Sequence, residues 1–575
     1  MTSSLTLEVK RGKIRKFLDM RLVHTFADDP NLPALKWVLS REAILVFRNI
    51  LSPRSEKLAG YSLLEYINDL LSPDKKNLPR PTSDFFAELE HLFLGISGKA
   101  DVYPETVPNF SKHHGLKAAR LRSTDLSRMA RSVKKHTERF PTGLDDKIMR
   151  LRYGNRERIL RYFAASETEW NDWKWQARNI IKKADTLRSL IKLTDEELGA
   201  VQLAEKNRIP FGITPYYLSL IDNEPGLGND TAVRAQVIPS LHYIKTILEY
   251  REGKSPSQDF MLEQDTSPIE GITRRYPQIV ILKPILTCPQ ICVYCQRNWE
   301  IEDVYSQSAV LPKPKLQEAL DWLAERPEIT EVLITGGDPF LLSGDRIENL
   351  LYKLSNMAHI VRIRIGTRTP VTLPQRITDG LVKIINRYHI PGKREVLIIT
   401  HFEHPYEITP QSMEAVQKFR RYGMDVYNQM VYTFYNSRKF EAAALRNKLR
   451  LIGVTSYYTF NTKGKEETND FRVPMPRLMQ EQEEEARLMP GSVRTDEIVF
   501  NVPGLGKNYL GAVQHHSVIS ILPSGRRVYE FHPWEKKLSL ADTYVYTDVS
   551  IYSYLQKLKS IGENLADYKS IWFYY

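Results

Sequence analysis

Residues 277–300 read PQIVILKPILTCPQICVYCQRNWE, and this stretch decides the fold. It opens as an apolar, β-branched run, IVILKPIL, of the kind that forms a strand buried on both faces. Directly after it come Cys288, Cys292 and Cys295 in the spacing C-x3-C-x2-C. These are the only three cysteines in 575 residues. A disulfide framework is thereby excluded, and a reducing compartment such as the cytoplasm is expected. A strand that delivers reactive side chains just past its C-terminal end points to parallel βα architecture, in which ligands gather at that edge of the sheet.

Downstream, five further runs repeat the pattern: EVLITG, IVRIRIG, EVLIIT, DVYNQMV and VTSYYTF. The segments between them are long enough for helices, so an α/β fold is expected, either an open sheet or a partial barrel, over residues 271–475. Chemistry-bearing residues again follow the strands. Gly336, Gly337 and Asp338 come after the second, Arg368 after the third, His401 after the fourth and Lys463 after the sixth. Upstream, residues 1–165 read as a helical N-terminal extension of unknown role, with amphipathic stretches such as AILVFRNI and SLLEYINDLL. Residues 166–270 read as a second helical segment, with Thr194 capping a helix that begins at Asp195. Residues 476–575 form a C-terminal segment ending in the aromatic tail IWFYY, and its acidic stretch EQEEEAR reads as a solvated helix or loop.

The hydrophobic fraction of 42% is ordinary for a globular chain. No run of about 18 uncharged apolar residues occurs, and the N-terminus lacks a signal-peptide core. A soluble protein without a membrane partner is expected. The formal charge of +12 admits a nucleic-acid partner through counterion release. Solvated faces, or an anionic substrate and cofactor, account for it equally, and they are the preferred reading.

Three thiolates in one loop can hold one face of a four-iron cluster and leave the fourth iron open, where S-adenosylmethionine can chelate through its amino and carboxylate groups. Zinc would need a fourth ligand from a distant histidine, and three inert thiols are the remaining alternative. The loop, with Tyr294 before its last cysteine, resembles that of the radical S-adenosylmethionine (radical SAM) superfamily. The resemblance implies a partial (β/α)6 barrel, a [4Fe-4S] cluster on Cys288, Cys292 and Cys295, and a hold on the methionine end of the cofactor by Gly336, Gly337 and Asp338.

Over about residues 169–530 the chain is similar, more narrowly, to the lysine 2,3-aminomutase family. WNDWKWQARN, ITPYYLSLID, DTSPIEGITRRYPQ, TGGDPFLLS, RIGTRTPVTLPQRIT, THFEHPYEIT, YNQMV and PGLGK carry the resemblance. It implies a second cofactor, pyridoxal 5′-phosphate (PLP), on Lys507, with Arg275 and Tyr276 at its phosphate and Gln429 against it. A second phosphate-binding arginine of the family corresponds here to Ile279, a departure that shifts phosphate binding toward Lys283 or elsewhere. Arg297 matches the family arginine for the substrate α-carboxylate. Where lysine-acting members bind the distal ammonium with two aspartates, this chain carries Lys463 and Asn501, with Lys465 as the neighbouring candidate. That inversion is similar to the glutamate-acting members and implies interconversion of L-glutamate and β-glutamate. Lysine or another amino acid, a residue within a protein, or RNA is the alternative substrate. The resemblance also implies a flavodoxin or ferredoxin as electron donor. The C-terminal cysteines that bind a structural zinc at a subunit contact in lysine-acting members are absent, so a homo-oligomer would need another contact. The aromatic tail is one candidate, and a local core is its other reading.

Overall fold

The computed structural model describes the chain apart from residues 1–5, 28–33, 73–77, 104–106, 227–228, 255–257, 302, 305, 463 and 533–541. Its organising element is a nine-stranded sheet in strictly sequential order. The strands are β1 (Ile272–Thr273), β2 (Ile279–Ile285), β3 (Glu331–Gly336), β4 (Arg362–Gly366), β5 (Glu395–Thr400), β6 (Val426–Tyr432), β7 (Thr455–Asn461), β8 (Glu497–Val502) and β9 (Gly506–Tyr509). From β2 to β8 every pairing is parallel, while β1 and β9 close the two edges antiparallel. All six expected strands form. EIVFNV adds a seventh parallel strand, so the sheet runs on beyond residue 475.

Each parallel step is bridged by a helix that lays one apolar stripe on the outer face, as parallel connections require. In Lys313–Ala324 that stripe is Ala319, Leu320 and Leu323; in Gly344–Ser355 it is Ile347, Leu350, Leu351 and Leu354. On the inner face, residues of every strand from β2 to β9 line one common cavity. A flat sheet could not do this, so the sheet curls into a partial barrel whose C-terminal rim carries the loops.

The N-terminal helices do not stand apart. Helices α1 (Leu7–Ala27), α2 (Ala34–Ile50), α3 (Pro53–Ala59), α4 (Leu63–Leu70) and α5 (Ser83–Ile96) form one layer with the far end of the chain. There, strands β10 (His516–Ile521), β11 (Arg527–Phe531) and β12 (Tyr544–Thr547) make a second, antiparallel sheet. α2 packs on β10, and α5 packs on helix Ile551–Ser560 and on the terminal segment Leu565–Phe573. A buried ion pair, Arg527 Nε to Glu88 Oε1 at 2.6 Å, ties α5 to β11. The aromatic tail belongs to this local core: Ile571, Trp572 and Phe573 are buried, and Trp572 stacks on His91 at 4.2 Å.

Two local expectations fare differently. Thr194 does cap helix Asp195–Lys206, exchanging hydrogen bonds with Glu197 in a capping box. EQEEEAR, however, is not a solvated stretch, because Glu481 and Glu485 are fully buried. Their four-residue spacing places both on the inner face of helix Met475–Glu484 and its last turn, where Arg446 meets Glu481 at 2.6 Å and Arg477 meets Glu485 at 2.7 Å. Buried carboxylates persist only when paired. Arg446 comes from a helix 35 residues upstream and Arg477 from the first turn of helix Met475–Glu484 itself, pairings which composition alone cannot reveal.

Candidate active site

The inner cavity has a volume of about 430 Å³ and is lined by Cys288, Cys292 and Cys295 together with Gly336, Gly337, Asp338, Arg275, Tyr276, Arg297, Gln429, Asn501 and Lys507. Of the described residues singled out from the sequence for a cofactor or substrate, all but Lys283, which pairs with Glu300 and Glu263, therefore face one space. Lys463 lies outside the described residues, but its neighbour Lys465 lines the cavity.

At the rim, the cysteine loop is held against β3 by backbone contacts. Gly337 N–H donates to Ile285 O at 2.7 Å, and Asp338 N–H donates to Thr287 O at 2.9 Å. The two glycines make this approach feasible. A Cβ on Gly337 would sit 2.2 Å from Thr287 O, and Gly336 adopts a left-handed φ of +111° with Ile285 O only 2.8 Å from the position of a Cβ. Asp338 accepts from Thr367 Oγ1 at 2.7 Å and Phe340 N at 3.0 Å on one oxygen, and from Arg368 N at 2.9 Å and Thr369 N at 3.1 Å on the other. Those four bonds use the acceptor capacity of a carboxylate. The carboxylate thereby fixes the loop that carries Arg368.

Arg368 in turn reaches the cysteines. Its Nη1 donates to Cys292 Sγ at 2.7 Å, while Nη2 bonds Gln236 and, at 2.6 Å, Glu407. Burial pushes the Cys292 thiol up, and the guanidinium pulls it back toward the thiolate that binds iron. Burial and the nearby Asp338 hold the Cys288 thiol well above its ordinary value. Among the described residues no three Cys, His, Asp or Glu side chains gather as a single metal ion would require. The three cysteines fall outside any such group as well; they share the lining of one cavity, at the end of β2.

Deeper in the barrel, β9 runs antiparallel to β8 and sets Lys507 directly opposite Asn501. Gly506, at φ +103°, lets this strand press against Tyr276, whose hydroxyl accepts from Lys507 N–H at 2.9 Å. The Lys507 amine sits 4.9 Å from the Tyr276 ring centroid and 4.8 Å from that of Tyr458. Burial, followed by repulsion from Arg364 and Arg275, lowers it to about 8.

Three cations converge on one acid that the sequence reading missed. Glu263 receives Arg297 Nη2 at 2.9 Å, Arg275 Nη2 at 3.1 Å and Lys283 Nζ at 3.6 Å. Burial opposes the ionised form, but Arg297, Arg275 and Lys283 together hold the carboxyl down to about 2. Arg297 is thus already in the two-point carboxylate clamp expected of it, with an internal partner: its Nε also reaches Glu263, at 3.1 Å. Arg364 was missed as well. It stands on the inner face of β4, two residues before Gly366, and its Nε pairs with Glu331 at 2.6 Å. A charged residue at alternate positions of a buried strand, as in RIRIG, was the available signal.

Among the described residues six arginines and lysines line the cavity (Arg275, Arg297, Arg364, Arg368, Lys465 and Lys507) against one lining carboxylate, Asp338. All but Lys507 already face an acid behind the lining, Glu263, Glu331, Glu407 or Glu467, so an incoming anion would exchange with those acids.

A curled parallel sheet with a three-cysteine loop at the rim of its first long strand defines a radical SAM enzyme, and the family model of the Radical SAM superfamily matches residues 282–445. The chain belongs, within that class, to the KamA or lysine 2,3-aminomutase family. It is 46% identical to an uncharacterised KamA family protein of Methanocaldococcus jannaschii over 559 residues, 94% of this chain and 89% of the relative. It is 37% identical to L-lysine 2,3-aminomutase of Clostridium subterminale, over 54% of this chain and 70% of that one. Glutamate 2,3-aminomutase of Clostridioides difficile is 36% identical, over 55% and 71% respectively. Identity does not choose between the two substrates, so the choice rests on side chains.

Proposed function

We propose that this enzyme is a PLP-dependent 2,3-aminomutase that interconverts L-glutamate and β-glutamate. The observation that carries this reading is the cation-rich lining of the cavity, in which, among the described residues, the one carboxylate, Asp338, is taken up by protein donors and none is available for the distal ammonium of lysine. A glutamate substrate brings two carboxylates, and leaving a like-charged pair buried instead would cost several kcal/mol.

When bound, the cluster and S-adenosylmethionine supply a 5′-deoxyadenosyl radical able to take the hydrogen from C3, and PLP supplies a ring into which the unpaired electron spreads while nitrogen moves from C2 to C3. The protein's own part is to hold each piece still. Cys288, Cys292 and Cys295 would bind the cluster, with Arg368 favouring thiolate at Cys292. Lys507 would carry PLP. Arg275, whose buried Nε has no hydrogen-bond acceptor, and Tyr276 would meet its phosphate, joined by Arg364 in place of the arginine lost at Ile279. Gln429, on β6, faces the same space. Arg297 would exchange Glu263 for the α-carboxylate. On the distal side Asn501 and Lys465 are the candidates; Lys465 is held by Glu467 at 2.7 Å and by Asn298.

The direct test is anaerobic: reconstituted protein with PLP, S-adenosylmethionine, reductant and either glutamate or lysine, scored for the β-amino acid. Glutamate turnover is expected, and efficient lysine turnover with none of glutamate would overturn the assignment. Asn501→Asp, which restores an acid without disturbing the Lys465–Glu467 pair, is expected to lower kcat/KM for glutamate by roughly thirtyfold, about 2 kcal/mol. An unchanged substrate preference in that variant would remove Asn501 from the substrate site.

A pH dependence follows from Lys507. Only a neutral amine attacks the aldehyde of PLP, so covalent capture, measured as PLP retained after borohydride reduction, is expected to rise with pH around a midpoint of about 8. An amine in water would give a midpoint near 10.5, and that result would place Lys507 outside the pocket.

A further inference from the structure

A second cavity, of about 360 Å³, distinct from the one the cysteines line, opens where the N-terminal helices, the antiparallel sheet and the barrel meet. Its walls come from four elements: the start of α5, the β10–β11 turn, helix Ile551–Ser560 and the short helix Glu466–Phe471 with Arg472 behind it. The turn is pressed tightly onto α5, since a Cβ on Gly525 would lie 2.3 Å from the carbonyl carbon of Asp84. These walls are therefore set by backbone packing.

Three cations line this cavity: Arg472, Arg526 and Lys557. Arg472 uses Nη2 on Tyr546 Oη at 2.5 Å and Thr547 O at 2.9 Å, and its buried Nε has no acceptor. Arg526 donates Nε to Asp548 O at 2.8 Å, and Lys557 rests 5.9 Å above the Phe434 ring. Among the described residues none of the three makes a salt bridge. The one acid among the described lining residues, Asp84, accepts from the hydroxyls of Ser550, at 2.5 Å, and Ser553. Asp548, behind the wall, accepts from the backbone N–H groups of Met475 and Val549. Asp548 and Glu466 attract both arginines from beyond salt-bridge distance, and the orphaned buried N–H of Arg472 is left for an acceptor that an anion could supply. Burial and then Arg472 lower Arg526.

We propose that this cavity is a binding site for a phosphate group, free or carried by a small metabolite, gripped by Arg472, Arg526 and Lys557. Asn469 Oδ1, also buried in the lining without a donor, would accept the proton of a hydrogenphosphate. The site joins segments from both ends of the chain to the loop of Lys465 and Glu467, so an occupant would brace that junction. It is independent of the substrate assignment above.

Titration calorimetry with inorganic phosphate, and separately with glycerol 3-phosphate, tests it on the full chain. Because the catalytic cavity is itself cationic, the titrations are run on an Arg275→Gln variant, which weakens phosphate binding there. Retained phosphate binding is expected, weakened at least tenfold when Arg526→Gln or Lys557→Gln is added, with circular dichroism confirming the fold. Tighter binding of glycerol 3-phosphate would assign the metabolite form, and equal or weaker binding the free ion. Absence of binding of either probe to Arg275→Gln, or binding that both added substitutions leave unchanged, would overturn the proposal.

Discussion

Cys292→Ala is expected to leave reconstituted protein without its iron and to lower turnover by about a millionfold or more, the low end of enzymatic rate enhancements. Loss of one thiolate of three leaves two protein ligands for four irons. The same substitution strands Arg368: its Nη1 loses the sulfur it holds at 2.7 Å, in a side chain almost wholly removed from water. Iron content and the visible absorbance of the cluster separate this from a folding defect, which far-ultraviolet circular dichroism would report. Full iron retention in the alanine variant would show that the cysteine loop does not bind the cluster, and the reaction scheme would go with it.

Arg527→Ala should be the most destabilising single change outside the barrel. The guanidinium pairs with Glu88 at 2.6 Å and donates to the carbonyls of Trp572 and Tyr574, each at 2.6 Å. One side chain thus joins α5, β11 and the aromatic tail. Its removal leaves a buried carboxylate and two carbonyls unpartnered, a loss of about 3–5 kcal/mol. A drop in the urea midpoint of the transition that releases the N-terminal helices would report it. Adding Glu88→Leu should recover part of the loss, because the stranded charge goes. A change under about 1 kcal/mol in the single variant would mean that the pair is open to water.

Much of the catalytic half was legible in sequence because its signals are local. The six strands announce themselves as β-branched runs, and the cluster loop by a spacing eight residues long. What escaped depends on partners that only the folded chain brings together. Nothing near Glu263 says that it will fold back onto Arg275 and Arg297, and nothing in EQEEEAR distinguishes Glu481 and Glu485, which meet Arg446 and Arg477, from their exposed neighbours. EIVFNV went uncounted because one short strand beside a glycine turn has no periodicity of its own. Within the segment 166–270, expected to be helical, residues 169–198 divide into short helices because side-chain caps such as Asp172 restart them and Ile181 bridges to Ile213.

The layer shared by the two ends of the chain sets an order on synthesis. α2 and α5 emerge from the ribosome within the first hundred residues, yet the strands and tail that cover their apolar faces are translated only after residue 515. Until then α1 to α5 have mainly one another to pack on, and the faces that later meet the strands and tail stay open to wrong contacts while the barrel is made behind them.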